Sequence, residues 1–239
     1  METNERNTMP VAIITGASRG LGLELARSLA ADGWNLVIDA RDPAALRAAA
    51  EQLAPSGSVR AIPGDVADAA HRADLVAAAT ELGGIDLLVN NASLLGPSPQ
   101  PHLADYPLDV LADVYAVNTL APVALVQLAL PQLRERDGTI VNITSDAAVE
   151  QYEGWGGYGS SKAALEQVGN VLAAEEPILH VYTFDPGDMR TQMHQEAFPG
   201  EDISDRPEPA TVVPALRRLL HDRPASGRYR GADFTAVTP

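Results

Sequence analysis

Six short, β-branched apolar runs alternate with longer Ala- and Leu-rich stretches of helical period, and that alternation limits the possible folds more than any other feature of the chain. The runs are Val11–Thr15, Leu36–Asp39, Val59–Ile62, Asp86–Asn90, Thr139–Thr144 and Leu179–Phe184. The spacing predicts helices over Gly20–Asp32, Pro43–Ala54, Ala67–Leu82, Pro107–Leu133 and Gly157–Glu175, and a last one over Ala210–Leu220. Val11-Ala12-Ile13-Ile14 is apolar without alternation, so both faces of that strand are buried, as in a parallel sheet covered by helices on each side. The expected fold is a doubly wound α/β domain over residues 9–239, preceded by a loose tail at 1–8. The segment Asp188–Pro209 mixes Pro, Gly and acids and reads as a long loop with short helical pieces.

Composition narrows the function classes. A chain of 239 residues that is 46% hydrophobic can bury a sizeable core. No apolar run approaches the roughly 18 to 20 residues of a membrane span, and Met1–Pro10 is polar, so a cytoplasmic protein without membrane association is expected. There is no Cys, and the five His are scattered, which argues against a metal site. A formal charge of −15 opposes nucleic-acid binding, and any anionic ligand must be held by a local cluster of cations.

The first strand runs into Thr15-Gly16-Ala17-Ser18-Arg19-Gly20-Leu21-Gly22 and then at once into a helix. Small residues in such a turn let the backbone approach a pyrophosphate, and the helix N-terminus directs positive partial charge toward it. The spacing GxxxGxG differs from the general dinucleotide fingerprint GxGxxG and resembles the TGxxxGxG turn of the short-chain dehydrogenase/reductase family. Further motifs carry the resemblance from Val11 to about Phe234: Gly64-Asp65-Val66, Asn90-Asn91-Ala92 with Ser93 where the family has glycine, and Pro186-Gly187-Asp188-Met189-Arg190-Thr191.

The resemblance implies a Rossmann-like sheet of about seven strands in the order 3-2-1-4-5-6-7 and a nicotinamide cofactor at its carboxyl edge. The implied cofactor contacts are Gly16, Ser18, Arg19, Gly20, Leu21, Gly22, Ala40, Arg41, Asp65, Val66, Asn91, Ala92, Tyr158, Lys162, Pro186, Gly187, Met189 and Thr191.

Tyr158-Gly159-Ser160-Ser161-Lys162 puts a phenol and an ammonium four residues apart, on one face of a helix. A phenol with a reference pKa of about 10 is a poor acid/base at neutral pH, and a neighbouring cation is expected to lower it. Lys162 is also the single lysine among seventeen Lys and Arg residues. Lysine offers a compact, titratable charge that guanidinium does not copy. In the family's arrangement Ser145, thirteen positions before Tyr158, polarises the substrate carbonyl, and Asn118 belongs to a proton relay reaching Lys162. From its residue type alone Asn118 also fits a buried amide capping a distorted turn. Thr144 and Asp146 are expected to point away from the site.

The expected activity is NADP(H)-dependent hydride transfer to or from a carbonyl or alcohol carbon of a small, moderately hydrophobic substrate. Tyr152, Trp155, Met193 and Phe198 are the candidate substrate contacts, and Glu150 and Glu153 leave room for a polar or cationic substrate. An NAD-type site would carry an acid 24 positions past Gly16, where this chain has Ala40. Arg41 and Arg19 are placed to clamp a 2′-phosphate, and Asp39 is expected to face away from the ribose. The competing readings are a non-catalytic NADP(H)-binding regulator and a sugar-nucleotide epimerase. Apolar excess on the two long helices suggests a homo-oligomer, a tetramer or dimer.

Overall fold

The computed structural model describes residues 9–53 and 57–234, so the expected tail at 1–8 lies outside the described residues. Seven strands form one parallel sheet: β1 (Val11–Ile14), β2 (Asn35–Ala40), β3 (Val59–Pro63), β4 (Leu87–Asn90), β5 (Thr139–Ile143), β6 (His180–Asp185) and β7 (Gly227–Arg230). Their order across the sheet is β3-β2-β1-β4-β5-β6-β7. Ile14 stands beside Ile38 and Val89, and Asn90 beside Asn142, so the central strands end together at one carboxyl edge.

The helices are α1 (Gly20–Ala31), α2 (Pro43–Gln52), α3 (Ala69–Glu81), α4 (Leu108–Tyr115), α5 (Ala121–Arg136), α6 (Gly156–Glu175), α7 (Gln192–Ala197) and α8 (Val213–Asp222). The alternation of β1 sorts them into two layers. Ala12 and Ile14 pack with Leu25 and Leu29 of α1, Leu46 of α2 and Leu216 of α8. Val11 and Ile13 pack with Leu75 of α3, Leu125 and Leu133 of α5, and Leu172 of α6. Both faces of the sheet are dry at its centre, which is why β1 lacks polar alternation.

Three expectations change. The predicted helix over Pro107–Leu133 is α4 and α5 joined by a π-helical turn, Ala116–Leu120. Pro122 has no N–H to bond the Asn118 carbonyl four residues back, which accounts for the widened turn. The strand Gly227–Arg230 escapes a hydropathy reading because Gly-Arg-Tyr-Arg is a polar edge strand. The helical stretch Leu108–Arg136 is, by length and composition, apolar enough to cross a membrane, which a search for uninterrupted runs misses. Here its inner face, including Leu125, Ala129 and Leu133, packs against the sheet. The 188–209 segment contains α7 and leads into a 3-10 turn at Pro209–Thr211.

Candidate active site

The glycine turn is knitted to the end of β4. Thr15 Oγ1 accepts from the amides of Asn91 and Ala92, both at 3.0 Å, and Asn91 Nδ2 donates to the carbonyls of Thr15 at 2.8 Å and Gly16 at 3.1 Å. Gly16 has φ +66°, and a Cβ there would lie 2.8 Å from Ala92 Cα, so only glycine fits the crossing. Beside this cradle opens a cavity of about 1140 Å³ that runs along the carboxyl edge to the 188–209 segment. With the amide-bearing start of α1 at one end, it has the size and chemistry for a dinucleotide and a small second molecule.

Most of the expected residues line that one cavity. Gly16, Ser18, Arg19, Gly20, Leu21, Ala40, Arg41, Asp65, Val66, Asn91 and Ala92 form the turn end. Pro186, Gly187, Met189 and Thr191 form the far wall, and Ser145, Tyr158 and Lys162 the floor between. Tyr152, Trp155, Met193 and Phe198 close the substrate end. Two expected residues sit behind it. Gly22 is a packing residue, since a Cβ there would come within 2.6 Å of Asn91 Nδ2 and 2.8 Å of the Gly16 carbonyl. Asn118 is fully buried in the π-helical turn, where Oδ1 accepts from Leu94 N at 2.7 Å and Nδ2 donates to Leu94 O and Ser161 Oγ, both at 2.9 Å. Its amide reaches Ser161, the neighbour of Lys162, and not the ammonium.

Lys162 is 1% exposed, and its Nζ donates to the carbonyl of Ile143 at 2.8 Å and lies 5.6 Å from the centre of the Tyr158 ring. Burial pushes the ammonium down to about 8. Burial pushes the Tyr158 phenol up to about 12; a hydrogen bond with Ser93 works against that rise, and the charges of Asp146 and Asp185 add to it. The expected lowering by Lys162 is therefore not what the protein shows, because desolvation of the phenolate dominates. The protein's own groups hold Tyr158 as a protonated donor.

Asp146 corrects a second expectation, for it faces the cavity. Its Oδ1 accepts from Ser145 Oγ at 2.9 Å and its Oδ2 from the Tyr152 hydroxyl at 3.0 Å. The chain leaves the ladder after Ile143, so the period-two argument no longer applies at Asp146. Ser93, in the glycine position of the family motif, donates to Asn118 Oδ1 at 3.2 Å and bonds Tyr158.

Arg228 on β7 donates to Glu166 on α6 at 3.0 Å and Asp185 at the end of β6 at 2.8 Å. Glu166 accepts from Thr144 at 2.7 Å, so the elements carrying Ser145, Lys162 and Gly187 are tied together. No local motif marks this clamp.

At the turn end, Arg19 bonds Gln192 on α7. Arg41 has no hydrogen bond or ion pair among the described residues. Asp39 points into the protein, Oδ1 accepting from Gly16 N at 2.6 Å and Oδ2 lying 3.0 Å from His71 Nε2.

Residues 10–202 match the short chain dehydrogenase family. Sepiapterin reductase of Mus musculus is 34% identical over 201 residues, covering 78% of this chain and 77% of that protein. An alcohol dehydrogenase from the archaeon Thermococcus sibiricus, complexed with 5-hydroxy-NADP, superimposes with a TM-score of 0.83 at 28% identity, covering 93% of this chain and 95% of the other. A short chain dehydrogenase of Shigella flexneri complexed with NADP gives a TM-score of 0.87 at 28% identity, covering 94% and 98%.

The buried ammonium generates a stability prediction. Its fall from 10.5 to about 8 corresponds to roughly 3 kcal/mol against the charged form. Below pH 8 the native and unfolded chains both carry that charge, and the penalty is complete. Between pH 8 and 10.5 the unfolded chain holds the extra proton, so native stability rises with pH. Lys162→Met is expected to be more stable than wild type at pH 7 by about 1 to 3 kcal/mol, with the gap closing toward pH 10. Urea midpoints at the two pH values check this, and equal stability at pH 7 would remove the burial penalty.

Proposed function

Because the chain belongs to the short chain dehydrogenase family, we propose that it is an NADP(H)-dependent oxidoreductase acting on the carbonyl or alcohol carbon of a small neutral or cationic molecule. The observation behind this reading is one continuous cavity that joins the glycine turn to Ser145, Tyr158 and Lys162. NADP(H), when bound, supplies or accepts the hydride. The turn and the first amides of α1 hold the pyrophosphate. Ser145 turns its hydroxyl from Asp146 to the substrate oxygen, and Tyr158 gives that oxygen its proton as hydride reaches carbon. Lys162, charged below about pH 8, steadies the phenolate that remains. Asn118, anchored through Ser93 and Ser161, holds the polar route by which the proton is replaced.

The substrate end explains the charge preference. Trp155 sits edge-on to Tyr158 with ring centres 5.8 Å apart, and lies 5.8 Å from Phe198 and 6.4 Å from Tyr152. This aromatic wall suits a flat apolar body. Asp146, Glu153, Asp188 and Glu196 line the same end; Asp188 lies 3.4 Å from Arg206 and Glu153 3.2 Å from His102, while Arg190 is paired with Glu208. A carboxylate or phosphate on the substrate would meet repulsion there.

NADPH-dependent reduction of a panel of ketones, diketones, aldehydes and imines, with sepiapterin among them, tests the activity. Tyr158→Phe should fold and bind NADPH while losing at least about 10²-fold in turnover. Tight NADPH binding with no member of the panel reduced would favour the regulator.

Preference for the 2′-phosphate rests on the unpaired Arg41 beside Ala40, and the NADP-bound neighbours support it. Arg41→Ala should weaken NADPH by about tenfold or more and leave NADH nearly unchanged; equal dissociation constants for both cofactors in the wild type would defeat the assignment.

Exposed Leu120 and Leu128 on the outer side of the α4–α5 stretch and Val171 on α6 support a homo-oligomer. Sedimentation at micromolar concentration should show dimers or tetramers, and a wholly monomeric profile would refute this.

A further inference from the structure

The end of β2 carries two opposed signals for the adenosine ribose. Arg41 offers a guanidinium suited to a 2′-phosphate, whereas Asp39, two residues earlier and lining the same cavity, offers a carboxylate. A free carboxylate at that strand end accepts a ribose hydroxyl and repels a phosphate dianion. What decides between them is a third residue, outside every motif in the chain.

We infer that His71 is a specificity-determining residue: by holding the Asp39 carboxylate against the glycine turn, it keeps the site selective for the 2′-phosphorylated dinucleotide. This rests on the cofactor reading above. The Asp39 side chain is only 3% exposed and that of His71 6%. One carboxylate oxygen takes the Gly16 amide at 2.6 Å, and the other lies 3.0 Å from His71 Nε2. No other side chain among the described residues hydrogen-bonds to Asp39. Nearby charged groups are engaged elsewhere: Arg72 donates to the Val66 carbonyl at 2.7 Å, Asp65 accepts from Ala67 N, Asp68 from Ala70 N, and Asp42 caps α2.

The histidine is held as firmly as the acid it holds. It lies in the first turn of α3, directly after Asp68, Ala69 and Ala70. Its ring presses on Gly64, where any Cβ would fall 2.3 Å from Nδ1. With Nε2 protonated the ring donates to Asp39 whether or not it carries a charge. Without that donor a buried carboxylate keeps one amide hydrogen bond and has an uncompensated oxygen. The cavity is the nearest polar space into which it can turn. There it would compete with Arg41 for the ribose and oppose the 2′-phosphate.

Dissociation constants of NADPH and NADH, measured by titration of the full-length protein, test this. His71→Leu and His71→Ala are expected to lower the preference for NADPH over NADH by about tenfold, chiefly through weaker NADPH binding. His71→Gln, which keeps an N–H donor, should hold the wild-type ratio. Asp39→Ser combined with His71→Leu should restore it, because the freed carboxylate is gone. Should His71→Leu fail to fold, His71→Ala leaves room for water around the carboxylate and carries the same comparison. An unchanged ratio, a parallel weakening of both cofactors, or a double variant that does not recover would overturn the inference. A wild type with no NADPH preference would defeat the cofactor reading instead, and the shift between wild type and variants would still report on His71.

Discussion

A lysine ammonium held at the dry end of a parallel sheet is the interaction on which the site depends. Lys162 reaches from α6 to the carbonyl of Ile143, the last residue of β5, and is almost wholly removed from water. That geometry requires α6 to lie close against the sheet. Gly169 allows it, since a Cβ there would stand 3.0 Å from Thr183 Oγ1 and 3.2 Å from Asn142 Nδ2. The desolvation is unfavourable to the ammonium and to the phenolate alike, and the two shifts move in opposite senses, with Lys162 easier to deprotonate and Tyr158 harder. An active site kept in such a state needs neighbours that cannot relax.

The neighbours supply that rigidity through polar bonds among strand ends. Asn90 and Asn142 join β4 to β5 at 2.8 Å, and Arg228 joins β7 to α6 and β6. Buried charge of this kind contributes little net stability, but removing one partner strands the other, so the arrangement specifies one geometry. The two ends of the cavity then differ in their lining. The turn end carries Arg41 and the first amides of α1 beside Asp42 and Asp65, while Asp146 and Glu153 line the other end together with Trp155.

Much of this was legible without coordinates. The helix and strand succession follows from local pattern, while the sheet order and the convergence of Gly16, Ser145, Tyr158 and Lys162 on one cavity are what the family resemblance implied. The misses have separate physical causes. Asp146 was expected to alternate away from the site because the strand was read one residue too long, and β7 went unlocated because Gly-Arg-Tyr-Arg lacks hydropathic contrast. The break in the long helix needed Asn118 and Pro122 to be read together across a turn, and Gly22 was taken for a cavity residue although its space is filled by Asn91.

By itself, the sequence determined the class of fold and the family, and it singled out the glycine turn and the Tyr158–Lys162 pair, since each is encoded by residues within one element or at a fixed offset along the chain. Tertiary structure alone decided how those groups are tuned. The burial that raises Tyr158, the clamp of Arg228 on Glu166 and Asp185, and the hold of His71 on Asp39 join residues 32 or more positions apart or depend on what covers them. Local propensity carries no information about such partners, because desolvation and charge pairing are set by three-dimensional neighbours and not by the order of the chain.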